Sequence, residues 1–439
     1  MLGAAACAAA AAEQPILREI SGSPDPGQLQ ATVQALVGFG TRHTLSDTAS
    51  PKRGIGAARR WARSRFEQIG RDCGGCLTVV MPSQTVTGED VPKPAEIVDV
   101  VAIQKGGTDP ERVIVLTGHI DSRVSDIMNA TADAPGADDD ASGVAVVIEA
   151  ARILSRYKFP ATIVYGVLSG EEQDLYGGKV LADYAKAKGW RVEADLNNDI
   201  VGATRGQNGL VNNTRLRLFS EGTRDTETAE DAKQRRFEGG EEDSASRNVA
   251  RYAKAVAESY MPNWTVALVY RLDRFGRGGD HSAFNALGMP AVRFTENAEN
   301  YRHQHQDLRT EGGVEYGDTM VNVDFAYLAK VTATNALAAA SMASAPPPPT
   351  NVKINGAVTS DTRLSWTASP GSPAVGYRVY WRDTTEPAWT HSRDAGKGEA
   401  LTLANVAIDD FAFGVASVSA DGFESPVVFP GAAGAFWAH

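Results

Sequence analysis

Four short strings carry side chains able to hold a cation or move a proton: TGHIDS with His119 and Asp121, PGADDDASG with Asp138, Asp139 and Asp140, SGEEQDLYGG with Glu171 and Glu172, and LNND ending on Asp199. Imidazole nitrogen and carboxylate oxygen are the donors that bind zinc and related divalent ions, and a carboxylate can also take a proton from water. Singly, each string has an ordinary explanation. An H-x-D is commonly a surface pair, a triple aspartate before a helix caps it and suits its dipole, and two adjacent glutamates fit a solvated turn. What decides between the two explanations is whether the strings meet.

The flanking residues predict that they do. VIVLTGHID from Val113 and ATIVYGVLSG from Ala161 are continuous apolar runs, the mark of strands buried on both faces, and each ends in one of the strings. Between them, GVAVVIEAARILSRY repeats Val144, Val147, Ile148, Ala151 and Leu154 at the helical period, entered through the three aspartates. A further helix is predicted from Leu175 to Lys188, then a third strand, VEADLNND, ending near Asp199. This alternation is α/β, a mixed and mostly parallel sheet sandwiched by helices, in which ligands gather beyond the carboxyl ends of the strands. Four groups of acids and imidazole on one rim would repel strongly without a cation, and a bound divalent metal removes that cost. Other helices are predicted over Gln28–Val37, Ile55–Gln68 and Ser246–Glu258, and the charged stretch Glu221–Asp243 reads as an exposed excursion, a loop or a lid.

Length and composition bound the rest. The 439 residues hold 43 Lys and Arg against 54 Asp and Glu, a net charge of -11, so the chain lacks the basic surface that nucleic acid requires. No integral membrane segment is expected, since the longest candidate, the alanine tract Gly3–Ala12, falls short of about 18 residues. That tract holds A-x-A triplets and reads as the end of a leader over residues 1–20, which places the protein in a secreted or periplasmic compartment. Cys7 would leave with the leader; Cys73 and Cys76, spaced C-x-x-C, then predict a small disulfide stapling a turn. A catalytic domain over 21–343 is expected, then a proline-rich spacer over 344–350, then short alternating strands over 351–432. That last segment resembles a fibronectin type III domain, with Trp366 and Tyr377 as core aromatics and Phe411 where the tyrosine corner is expected.

The four strings, together with GFGTRHTLSDT near the start and a late histidine, resemble the di-zinc aminopeptidases of the bacterial leucyl aminopeptidase type, over about Leu29 to Ala340. The resemblance implies a sheet of about eight strands between helices, and two zinc ions per chain that manganese or cobalt could replace. It assigns His119, Asp139, Glu172, Asp199 and a late histidine as metal ligands, with Asp139 bridging and a cis peptide after it. Asp121 would orient the His119 imidazole, and Glu171 would serve as general base and then general acid. The family's H-x-x-x-D pattern maps onto His303 and Asp307, which makes His303 the expected last ligand and His305 its rival. His281, in the string GRGGDHSAF that also matches the family, is expected to be structural or to stand behind a ligand. Arg274 and Arg277, with Arg271, fall where the family places its substrate-facing loop, so they are candidates for substrate binding. The function implied is an exopeptidase acting on peptides, first an aminopeptidase. The alternatives are a carboxypeptidase or a glutaminyl-cyclase-like enzyme on the same fold, or an inactive adhesion protein. No G-x-S-x-G elbow offers a serine mechanism.

Overall fold

A computed structural model describes residues 13–437. Its main sheet has eight strands, in the spatial order Leu77–Val80, Val100–Gln104, Ala161–Leu168, Asp109–His119, Arg191–Asn198, Ala291–Glu296, Arg215–Ser220 and Thr265–Val269. The four central strands, from Ala161–Leu168 to Ala291–Glu296, are mutually parallel, and the antiparallel pairings lie to either side of them. Every residue of Ala161–Leu168 is buried, as a strand covered by helices on both faces must be. The helix Ala141–Leu154 lies directly on the strand that precedes it. The close approach depends on two glycines: a Cβ on Gly118 would lie 2.7 Å from the Gly143 carbonyl carbon, and one on Gly143 would meet the Asn198 carbonyl oxygen at 2.4 Å. Helix start and strand ends are thereby brought together on one rim.

The predicted helices are present as Pro26–Val37, Ile55–Asp72, Tyr176–Ala187 and Ala245–Tyr260, and the long Phe325–Ser344 closes the domain. Cys73 and Cys76 are disulfide-bonded across the turn between the helix ending at Asp72 and the strand beginning at Leu77. The charged excursion contains a helix, Ala229–Glu238, with none of its residues buried; a capping box between Thr228 and Asp231 starts it.

Two boundaries differ from the sequence expectation. The alanine tract lies outside the described residues, but residues 15–21, part of which was assigned to the leader, form a helix whose Leu17 and Ile20 are buried in the core. The proline run is not a spacer. Pro346–Pro349 are buried, and the strand Thr350–Asn355 begins at once. Proline has no N–H to leave unsatisfied, so this run can be enclosed at small cost. The C-terminal part is two three-stranded antiparallel sheets, with Trp366 and Tyr377 packed across them at 5.4 Å between ring centroids. It is fixed to the α/β part. Arg382 donates to both oxygens of Asp243 at 2.7 and 2.8 Å, Arg251 donates to the same carboxylate at 2.7 Å and to the Pro387 carbonyl, and Trp389 donates to Asn248. The chain also runs on past residue 432 to return to the α/β part, where the Trp437 indole donates to the Val192 carbonyl.

Asp243, Arg251 and Arg382 are each at most 5% exposed, so removing the shared carboxylate strands two buried cations. Asp243→Ala is therefore expected to cost about 3–5 kcal/mol, read as a lowered midpoint of chemical unfolding. A loss below about 1 kcal/mol, the size of an exposed pair, would show that the two parts are merely tethered.

Candidate metal centre

The four strings do meet. His119 is the last residue of its strand and pairs in register with Leu168, so the Ser169–Gly170 turn carries Glu171 and Glu172 to the same rim; Asp199 follows the neighbouring strand that ends at Asn198. The three aspartates enter the helix beside them, and each does something different. Asp140 caps the helix through the Gly143 N–H at 2.8 Å and also accepts the His119 N–H at 2.9 Å. Asp138 accepts the Gly202 N–H at 2.6 Å. Only Asp139 turns its side chain into the cluster, and the peptide bond following it is cis.

Two groups of donors result. His119, Glu171 and Asp199 form one, and Asp139, Glu172 and His305 the other. The His119 Nε2 lies 3.2 Å from Asp139 Oδ1, 3.9 Å from Asp199 Oδ1 and 4.0 Å from Glu171 Oε2. The His305 Nε2 lies 2.9 Å from Asp139 Oδ2 and 3.1 Å from Glu172 Oε2. Asp139 thus presents one oxygen to each histidine. His119 Nε2 and Glu172 Oε1 are buried without a hydrogen-bond partner, which in a protein interior calls for an explanation. Donors about 2.0–2.1 Å from a tetrahedral zinc stand roughly 3.3 Å apart; the separations of His119 from Asp139 and of His305 from Asp139 and Glu172 are close to that, and those of His119 from Asp199 and Glu171 are wider.

Asp121 is the organiser behind these residues. Its Oδ2 accepts the Glu172 N–H at 3.1 Å and the Thr44 hydroxyl at 3.0 Å, and its Oδ1 is 3.5 Å from His119 Nδ1. It therefore orients the imidazole and fixes the Glu171–Glu172 backbone at once. His281 is buried and bonds the Leu272 carbonyl at 3.0 Å, a structural role as expected.

The electrostatics favour positive charge. Burial pulls the His119 imidazole down, but Glu171, Asp121, Asp139 and Asp199 outweigh it and hold it well above its usual range. Burial likewise lowers His305, and Glu172 with Asp139 carries it up to about 10. Burial raises Glu171 well above an ordinary glutamate, only partly countered by His119. A divalent cation entering such a cluster would displace protons.

Of the two candidate histidines, the structure brings His305, the rival, and not the expected His303 beside Asp139 and Glu172. His303 is half-buried, its Nε2 3.4 Å from the Asn300 amide nitrogen, and no metal-binding group among the described residues includes it. The reason is local backbone. Residues 301–305 form a tight turn in which His305 has a left-handed φ of +51°; its ring reaches Asp139 and Glu172, while that of His303 stays beside Asn300. Asp307, the other half of the H-x-x-x-D pattern, accepts instead from the Ser125 hydroxyl.

Arg274 and Arg277 are near the site but engaged. Arg274 contacts Asp273 at 3.1 Å and Glu299 at 3.4 Å and approaches Asp199 at 4.0 Å, while Arg277 contacts Glu299 at 3.0 Å and Gln304 at 3.2 Å. Arg271 lies over the Phe275 ring. Three residues that sequence reasoning passed over also shape the site. Arg293 holds Asp199 Oδ1 at 2.8 Å; an arginine inside the buried run AVRFTE was a visible hint of an internal ion pair. Asp318 accepts the backbone N–H groups of Asp138 and Asp139, and nothing in its surrounding sequence marks it. Arg123 contacts both Glu172 and His305.

A mostly parallel sheet with two adjoining His–carboxylate groups on its carboxyl rim is the build of a hydrolase that works with divalent cations. The sequence model of peptidase family M28 matches residues 99–312, which include every residue of both groups. A probable zinc metalloprotease of Leptosphaeria maculans is 44% identical over 95% of this chain and 96% of its own length, and another, from Pyricularia oryzae, is 43% identical over 94% and 84%. The chain belongs to peptidase family M28. The fold is shared with the LapA aminopeptidase of Legionella pneumophila, at a TM-score of 0.53, 18% identity and coverage of 75% of this chain and 74% of that one. It is shared also with a leucine aminopeptidase precursor of Bacteroides thetaiotaomicron, at 0.52, 16%, and 73% and 98%.

Proposed function

We propose that this family M28 peptidase is a zinc-dependent exopeptidase that removes N-terminal residues from peptides outside the cytoplasm. The observation that carries the reading is Asp139, with one oxygen beside His119 and the other beside His305. His119, Asp199 and one Asp139 oxygen would hold one cation; the other Asp139 oxygen, Glu172 and His305 would hold a second. Cations there would polarise the scissile carbonyl and make water nucleophilic near neutral pH. Glu171 belongs to the first group, but an Asp139 oxygen can stand in its place beside His119 and Asp199, which frees it to take the proton of the attacking water and deliver it to the leaving amine. Asp121 keeps His119 and the Glu171 backbone in place for that transfer. The names of the curated relatives support zinc.

An acidic rim suits a free α-amine. A terminal carboxylate would need an available cation, and Arg274 and Arg277 are both paired with Glu299. Export is supported by the Cys73–Cys76 disulfide. The C-terminal sheets are read as a fibronectin type III-like module. Hydrolysis of aminoacyl anilides beside their N-acetylated forms and C-terminally amidated peptides tests the reading. Cleavage confined to free-amine substrates and indifferent to amidation is expected; cleavage that requires a free carboxylate would make the protein a carboxypeptidase.

A further inference from the structure

The buried asparagines spend their amide nitrogens on the interior: Asn198 donates to the Thr117 and Leu196 carbonyls, Asn248 to the Asp243 carbonyl and Asn335 to Asn198. Three others stand apart. Asn129, Asn212 and Asn263 open the triplets Asn129-Ala130-Thr131, Asn212-Asn213-Thr214 and Asn263-Trp264-Thr265, the N-x-T pattern in which asparagine accepts an N-linked glycan along the secretory route. So short a pattern also arises by chance, and what decides is whether the folded chain leaves room for a sugar on Nδ2. At Asn129, Oδ1 accepts the Thr131 N–H at 3.2 Å, the Thr131 hydroxyl at 3.1 Å and the Ala132 N–H at 3.0 Å; at Asn212, Oδ1 accepts the Thr214 N–H at 2.9 Å and its hydroxyl at 3.2 Å. A backbone N–H can only donate, so the atom it meets is the oxygen, and Nδ2 is the atom the turn does not use. Asn263 is exposed in a turn at a left-handed φ of +62°, anchored by the buried Trp264, whose indole donates to the Thr334 hydroxyl at 2.9 Å. Thr131, Thr214 and Thr265 are all exposed.

We infer that Asn129, Asn212 and Asn263 carry N-linked glycans, all on the rim that bears the metal centre. The inference rests on the export proposed above. In the transfer, Nδ2 bonds to the anomeric carbon of a lipid-pyrophosphate oligosaccharide and loses a proton, while the bond from that carbon to the phosphate oxygen breaks and the lipid pyrophosphate leaves. The placement follows from the sheet. The Asn129 loop comes after Asp121 and reaches Asp307 through Ser125. The strand Arg215–Ser220 is antiparallel to Ala291–Glu296 and pairs Leu216 with Glu296, so its start, and that of Thr265–Val269 parallel to it, lies at the carboxyl end of the central strands. The Thr265 N–H donates to the Thr214 carbonyl at 2.9 Å, which makes the Asn212 and Asn263 triplets neighbours. Sugars at these places would cover Met128 beside Asn129, and Leu210 and Val211 beside Asn212, all exposed.

The test is mass spectrometry of the full chain secreted from a eukaryotic host behind a leader of established function. Peptide N-glycosidase in heavy-oxygen water turns each glycosylated asparagine into a labelled aspartate. Label at Asn129, Asn212 and Asn263 is expected, with an intact mass that falls to that of the polypeptide once the enzyme has acted. Thr131→Ala, Thr214→Ala and Thr265→Ala each keep the asparagine that shapes the turn and remove the hydroxyl the pattern requires, so each should delete one label and leave the other two. A secreted chain whose mass is that of the bare polypeptide, or whose labels survive the threonine substitutions, would overturn the inference and leave the export reading standing. Export is tested separately, by locating the protein in its own source cells and their medium. Its confinement to the cytosol there would remove the export reading, and the natural modification with it.

Discussion

Glu171→Gln is expected to lower kcat by about 10²–10⁴-fold, the usual contribution of a positioned general base, while zinc content and the thermal midpoint stay near those of the wild type. The substitution keeps the side-chain shape and removes only the capacity to take a proton. Glu171 Oε2 is 4.0 Å from His119 Nε2, the longest separation among the donors around that nitrogen, whereas Asp139 stands at 3.2 Å. His119, Asp199 and an Asp139 oxygen already make three protein ligands, the number found in catalytic zinc sites with a position left open. Its N–H is held by Asp121, a backbone contact the variant keeps. Measured together, kcat and metal content separate two roles: loss of activity with zinc retained identifies a base, and loss of zinc alongside activity would make Glu171 a ligand.

His305→Ala is expected to lower activity by at least about a hundredfold and to release one cation, and His303→Ala to leave both within about threefold of the wild type. Altering a group behind a ligand already costs about 10–100-fold, and loss of the ligand itself should cost no less. The two histidines are separated by one residue, so composition, net charge and helical content are matched between the variants. His303 is turned to Asn300 and makes no contact with the acidic groups, while His305 touches Asp139 and Glu172. The comparison therefore isolates the side chain's place from its chemistry. Equal losses would mean that the turn at residues 301–305 matters as a whole.

How far the sequence could be read follows from where each group sits. His119, Glu171, Glu172 and Asp199 lie at or just past the ends of buried strands, and an apolar run fixes where such a strand ends to within a residue or two. Asp139 precedes a strongly periodic helix, which likewise fixes its position. His305 sits in a loop with no apolar period, and its direction is decided by one left-handed residue that the sequence does not announce. Asp318, Arg123 and Glu299 reach the site from loops far along the chain, so only the fold brings them there. The proline run misled for a different reason. Its composition suits an exposed spacer and a buried, donor-free segment equally, and only the fold, which encloses the run and sets the Ser369 hydroxyl on the Pro348 carbonyl, decides between them.

The account stands most directly on two cations sharing Asp139. Elemental analysis of the purified full chain, with His305→Ala and His303→Ala beside it, tests this. Two zinc ions per chain are predicted for the wild type and for His303→Ala, and about one for His305→Ala. A wild type holding one zinc or none after dialysis against excess zinc, or a His305→Ala protein that still holds two, would contradict it.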